Sequence, residues 1–219
     1  MKSSKICQLI YLFIIAELMF SSCQERLLDE MVVYSNDFSS LDLTSINSDQ
    51  GLVSYNGRNV LGFFNNEGFT LTLNELPPHN MVKINVELYI HNFWNGNSPG
   101  VEGPDIWKME VDEEIIVNTT FANTTCASTY CQYQSFPENT IRNFPPKTGA
   151  DKIDLPGLFD QANNNGLTSK YTITKIINHG DKSILLKCYD ELRQENVPVP
   201  REDESWSVGE IIVSVLNVR

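Results

Sequence analysis

Between Val82 and His91 the chain alternates strictly. Val82, Ile84, Val86, Leu88 and Ile90 occupy one parity, and Lys83, Asn85, Glu87, Tyr89 and His91 the other. Successive side chains of a strand point to opposite faces, so this pattern demands a half-buried β-strand and cannot be met by a helix. The pattern recurs. Phe69, Leu71 and Leu73 alternate with threonine and asparagine, and Trp107, Met109 and Val111 with Lys108 and Glu110. Further strands are expected at 115–121, 171–177, 183–189 and 210–218, with one or two helical turns near 155–162. Pro77-Pro78 and the Gly/Asn/Pro-rich stretch 92–104 break the runs. The expected fold is all-β: a two-sheet antiparallel β-sandwich of jelly-roll type, with long loops and little helix.

The N-terminus combines Lys2 and Lys5 with an apolar run from Ile6 to Phe20 and small residues before Cys23. These are the parts of a secretory signal peptide. Glu17 interrupts the run, which is shorter than the ~20 residues of a spanning helix. The expected organisation is a signal at 1–22, a short tether at 23–31 and one β-sandwich at 32–219, secreted or held at the cell surface. In a bacterium Cys23 would be lipidated; in a eukaryote the same stretch is a plain cleavage site. No membrane insertion is expected beyond the signal or a lipid anchor.

The formal charge is −12. Such a surface repels phosphate backbones and anionic lipid, which excludes nucleic acid as a partner. In an oxidising compartment Cys126 and Cys131 would close a small loop, and Cys188, inside an alternating run, would be a buried thiol. His79, His91 and His179 are scattered in sequence, with no ligand spacing for a transition metal. No cofactor fingerprint or phosphate-cradling loop is present.

Three places could carry chemistry. In Glu110-Val111-Asp112-Glu113-Glu114, a continuous strand would project Glu110, Asp112 and Glu114 together. That spacing resembles the catalytic strand of laminarinase-like retaining glycosidases, in which the carboxyls lie ~5–5.5 Å apart. Three consecutive acids between two alternating runs fit a solvated hairpin turn better, and a turn is expected here. The second place is the loop holding Trp94, Asn95, Asn97 and Asp105, where an aromatic ring beside amide and carboxyl groups suits a sugar. The third is an oxygen-rich set for a structural Ca²⁺ with Asp105, Asp203 and Glu204 as ligands. Asn118 and Asn123 begin Asn-x-Thr glycosylation sequences. Trp107 and Trp206 are expected in the core, Trp94 in an exposed loop.

Leu76-Pro77-Pro78-His79, Gly103-Pro104-Asp105-Ile106-Trp107, Thr119-Thr120-Phe121-Ala122-Asn123, Gln134-Ser135-Phe136-Pro137, Thr148-Gly149-Ala150 and Asp203-Glu204-Ser205-Trp206 occur in this order. Together they resemble a β-sandwich module, jelly-roll or galactose-binding-like, of large secreted and surface proteins. The resemblance implies the fold and no particular activity. The functional expectation is an exported, non-catalytic module that binds a glycan or another surface protein. The alternatives are a jelly-roll glycoside hydrolase using Glu110 and Glu114, and a purely structural surface protein.

Overall fold

The computed structural model describes residues 26–195 and 197–219. The expected signal and Cys23 lie outside the described residues. Among the described residues, twelve strands form two antiparallel sheets: β1 Leu27–Asn36, β2 Ile46–Ser48, β3 Leu52–Tyr55, β4 Arg58–Phe64, β5 Gly68–Leu73, β6 Met81–Asn92, β7 Ile106–Val111, β8 Glu114–Thr120, β9 Lys152–Pro156, β10 Asn165–Asn178, β11 Ile184–Glu191 and β12 Glu204–Val218. One sheet runs β3-β4-β12-β6-β10-β9, and β1 pairs with the later part of β12. The other runs β2-β5-β11-β7-β8. This is the expected all-β sandwich.

The parity of β6 is as the alternation requires. Val82, Ile84, Val86, Leu88 and Ile90 are all fully buried against the facing sheet. Trp107 and Trp206 meet edge-on at 5.9 Å in the same core. Two expectations need correction. From Leu27 onward the expected tether is part of β1, paired with β12 from Val218 to Ile211. The helical turns expected at 155–162 are the end of β9 and a single 3₁₀ turn, Phe159–Gln161.

The outer face of β6 is not solvated along its whole length. Tyr89 and His91 lie beneath a second small cluster built by Tyr55, Val60 and Leu158. The His91 ring is edge-on to Tyr55 and Phe63. Its nitrogens reach Thr168 Oγ1 at 3.0 Å and Ser207 Oγ at 2.7 Å. Burial disfavours the imidazolium and holds this group down at about 3, against an ordinary 6.5. The folded state therefore binds fewer protons than the unfolded chain between those values. Its stability contribution is complete above pH 6.5 and is lost as pH falls toward 3. At about 1.4 kcal/mol per unit, the loss is on the order of 3–5 kcal/mol. Urea unfolding at pH 7 and pH 4 should show a smaller pH effect in a His91→Gln variant than in the native chain.

Candidate functional site

The hairpin β7–β8 closes through Asp112 and Glu113, with φ 48° and 72°, a two-residue turn of the kind strand twist favours. Glu110 pairs across the hairpin with Ile115, and Glu114 with Val111. Directly opposed residues share a face, so Glu110 and Glu114 point to opposite sides. The Glu110 carboxylate accepts from Tyr189 Oη and sits 3.9 Å from Lys187 Nζ. Asp112 Oδ1 accepts from Leu185 N at 2.9 Å, locking the turn to β11. The three acids line no common cleft, so the glycosidase alternative has no paired carboxylates here.

His79 and His179, scattered in sequence, are in contact. Their rings stack at 5.0 Å, with His79 Nε2 2.7 Å from His179 Nδ1. His179 Nε2 lies 3.2 Å from Asp112 Oδ2, close in charge terms but outside hydrogen-bond alignment. This set ties the Pro77 loop to the β7–β8 turn.

The loop between β6 and β7 holds the residues expected to bind ligand, and it folds inward. Trp94 is fully buried, edge-on to Phe121, and donates from Nε1 to Ser205 O at 2.9 Å. It is a core residue and offers no stacking face, contrary to the sequence expectation. Gly96 has φ 63°, and a Cβ there would meet Tyr133 O at 2.3 Å, so only glycine fits. Asn97 is spent on the protein. Its amide donates to Arg142 O and Asn143 Oδ1, and its oxygen accepts from Thr120 Oγ1 and Ser135 Oγ.

Asn95 is the hub of a buried polar set. Its backbone N donates to Asp105 Oδ2, its Nδ2 donates to Glu204 Oε1 at 2.9 Å, and its Oδ1 accepts from Gln132 Nε2. Asp105 and Glu204 are both fully buried. Burial pushes both carboxyls up, Glu204 further because Asp105 and Asp203 add negative charge beside it. Of the expected Ca²⁺ ligands, the structure thus brings Asp105 and Glu204 together. Asp203 is only half-buried, and its carboxyl is raised by burial and by Glu102. Among the described residues, no three His, Cys, Asp or Glu side chains converge on a metal-sized space.

Two surface features lie outside the loop of the expected ligand residues. The Cys126–Cys131 disulfide forms as expected and closes a loop that exposes Tyr130 (59%), with Tyr133 (45%) exposed just beyond it. A cleft of about 230 Å³ opens between Phe93, the 3₁₀ turn and the helical turn Pro200–Asp203, edged by Asp160, Gln161, Glu202 and Asp203. Asn92, fully buried, fastens both walls. Its Oδ1 accepts from Leu158 N at 2.8 Å, and its Nδ2 donates to Glu202 O at 2.7 Å. Phe159 stands on one wall with φ 54° and its side chain 42% exposed. Its ring packs edge-on to Phe63 at 5.9 Å and leaves its outer part exposed, and a bulky residue held left-handed is strained, a condition that concentrates at binding sites.

Other hollows are less suited to a ligand. One of about 290 Å³ lies on the five-stranded sheet beside Tyr189, but Lys187 and Lys108 cover that ring at 4.2 and 5.6 Å. Another, about 690 Å³, has no aromatic lining, and its Arg58 is already bonded to Glu87 and Gly209 O.

Asn123, expected as a glycosylation acceptor, is buried, and its amide donates to Ile90 O, Asn92 O and Leu167 O. A glycan on that nitrogen cannot coexist with these bonds. Asn118 is half-buried on β8. Cys188 is a buried free thiol, as its run implied. Among the described residues no helix is long and apolar enough to cross a membrane.

No protein-family model matches the chain. No curated protein matches it in sequence. Among solved structures it is similar to dimeric latent PorU from Porphyromonas gingivalis, with TM-score 0.37 and 9% identity over 68% of this chain and 10% of that one. It is similar to the GH115 4-O-methyl-α-glucuronidase BtGH115A, with TM-score 0.40 and 11% identity over 84% of this chain and 18% of that one. It is also similar to a carbohydrate binding module of Cellvibrio mixtus lichenase 5A in complex with cellotriose, with TM-score 0.35 and 12% identity over 84% and 97%. The chain therefore spans less than a fifth of the first two proteins. At these scores no ligand or activity passes from them to this chain.

Proposed function

We propose that this chain is an exported, non-catalytic binding module whose ligand is a glycan, received in the cleft between Phe93 and Phe159. The observation that carries the reading is the Phe159 ring, held left-handed and exposed above a cleft rimmed by carboxyl and amide oxygens. A sugar ring has an apolar C–H face and an edge of hydroxyls. The phenylalanine rings serve the first, and Asp160, Gln161, Glu202 and Asp203 accept or donate to the second. The paired carboxylates that hydrolysis needs are absent from this cleft's design, because its acids ring the rim and none is buried opposite another.

A screen of the mature protein on a glycan array should give at least one ligand. Phe159→Ala should then weaken binding by about tenfold or more, a ~1.4 kcal/mol effect, without lowering the melting temperature. A second reading, favoured by the exposure of Tyr130 and Tyr133, seats the glycan on the disulfide loop. Loss of binding in a Tyr130→Ala/Tyr133→Ala double variant, with Phe159→Ala silent, would select it. An array with no ligand at all would overturn both.

A further inference from the structure

We infer that the sugar received between Phe93 and Phe159 is an amino sugar whose free amine carries a proton, and that acidic sugars are refused. This rests on the cleft reading above and adds the charge of the ligand. Asp160 lines the cleft from the 3₁₀ turn, and Glu202 and Asp203 line it from the helical turn opposite. Among the described residues no lysine or arginine lines it. The two arginines closest to Glu202 and Asp203 in sequence are engaged elsewhere. Arg201 donates to Glu67 Oε1 at 2.7 Å, and Arg193 donates to Gly100 O at 3.2 Å with its Nε 3.7 Å from Glu195. Among the described residues none of the three carboxylates is paired with a cation.

Two of these acids are held in place through the backbone. Glu202 O accepts from Asn92 Nδ2 at 2.7 Å, and Asp203 O accepts from Phe93 N at 2.9 Å. Their side chains are thereby positioned without being neutralised. Asp203 shows the consequence: partial burial and the charge of Glu102 push its carboxyl up, the direction that a nearby positive charge reverses. A neutral sugar brings only hydroxyl donors to such a rim. An ammonium in place of one hydroxyl makes a charge-assisted bond, roughly twice as strong, to acids that have no other cation. A uronate would instead enter beside three like charges, with no guanidinium to receive it. The formal charge of −12 adds a general attraction for cations, so a binding test has to separate the cleft from the surface at large.

Glucose and glucosamine differ only at carbon 2, hydroxyl against ammonium, so trisaccharides of the two with one linkage form a minimal pair. Titration calorimetry of the purified mature chain at pH 6 should show the glucosamine trisaccharide binding about tenfold or more tightly than the glucose one. Its N-acetylated form should bind no better than glucose, and a glucuronic acid trisaccharide should not bind. Glu202→Gln/Asp203→Asn should bring the glucosamine and glucose affinities together, and Phe159→Ala should weaken both. If the double variant does not fold, Asp160→Asn should still narrow the gap. Equal affinities in the native chain, with Phe159→Ala weakening both, would overturn the inference and leave the cleft reading intact. A glucosamine preference that survives the carboxyl substitutions and Phe159→Ala alike is attraction to the acidic surface, and overturns it too. A preference lost with the carboxyls but untouched by Phe159→Ala would support the ammonium site and overturn the aromatic contact. Binding of the glucuronic acid trisaccharide, or of neither member of the pair, would equally overturn the inference.

Discussion

Replacing Trp94 with alanine is expected to destabilise the sandwich by ~3–5 kcal/mol, the usual cost of truncating a buried aromatic. The indole is fully buried against Phe121, and its loss opens a cavity that the surrounding β-structure cannot collapse. Its Nε1 bond to Ser205 O also disappears, which leaves a buried carbonyl without a donor. Against a typical stability of ~5–15 kcal/mol this is a severe lesion. Trp206→Ala should be comparable, because Trp206 Nε1 donates to the buried Asp190 carboxylate at 2.7 Å. Trp107 differs in kind: its Nε1 has no partner, so Trp107→Phe should cost far less than Trp107→Ala. Chemical denaturation of the four variants measures the series. A nearly silent Trp94→Ala would mean that the loop does not fold inward.

Asn123→Ala is the second large effect, on the order of 3–5 kcal/mol. The two N–H groups of one amide are shared among three carbonyls, on Leu167, Asn92 and Ile90, and its oxygen accepts from Ser169 Oγ. It thereby staples the end of β8 to β6 and to the start of β10. Each buried carbonyl left without a donor costs ~1–3 kcal/mol. The same geometry bears on modification. Secreted from a glycosylating host, the folded protein should carry no glycan on Asn123, which peptide mapping after enzymatic deglycosylation would reveal. Occupancy at Asn123 in soluble, native protein would contradict the buried amide.

What could be read from the sequence was what depends on near neighbours along the chain. The alternation of Val82 to Ile90 fixed the inner face of β6, and the Trp107-Met109-Val111 set placed Trp107 in the core. The acidic run around Asp112 resolved as a turn because its residues tolerate or solvate a reversal. The Cys126–Cys131 bridge needed only short spacing. The misses share a cause: they depend on residues distant in sequence. Trp94 looked like loop residue because its neighbours are Asn and Gly, yet it is covered by β12, whose Ser205 lies 111 positions away. The outer face of β6 at His91 looked solvated, and is roofed by Tyr55 and Leu158 from two other segments. Short strands such as Ile46–Ser48 carry too few residues to show a period.

The candidate sites divide the same way. Asp105 and Glu204 were both named from their local chemistry, and only the fold reveals that they face each other across Asn95. Asp203, their sequence neighbour, turns to the rim of the cleft instead. The Phe93–Phe159 cleft had no sequence signal beyond two ordinary phenylalanines. Its one legible trace is Asn92, a residue type that tolerates a left-handed backbone, here at φ 62°. That asparagine holds both cleft walls, so Asn92→Ala should loosen the site without touching its surface.

A glycan in the cleft at Phe159 would be located by amide chemical-shift mapping. With the strongest array ligand titrated into isotope-labelled protein, the largest shifts should fall at Phe93, Leu158 to Gln161, and Glu202 to Asp203. Shifts confined to Tyr130 and Tyr133, or to the Tyr189 face of the five-stranded sheet, would place the ligand elsewhere and rule out the Phe159 cleft.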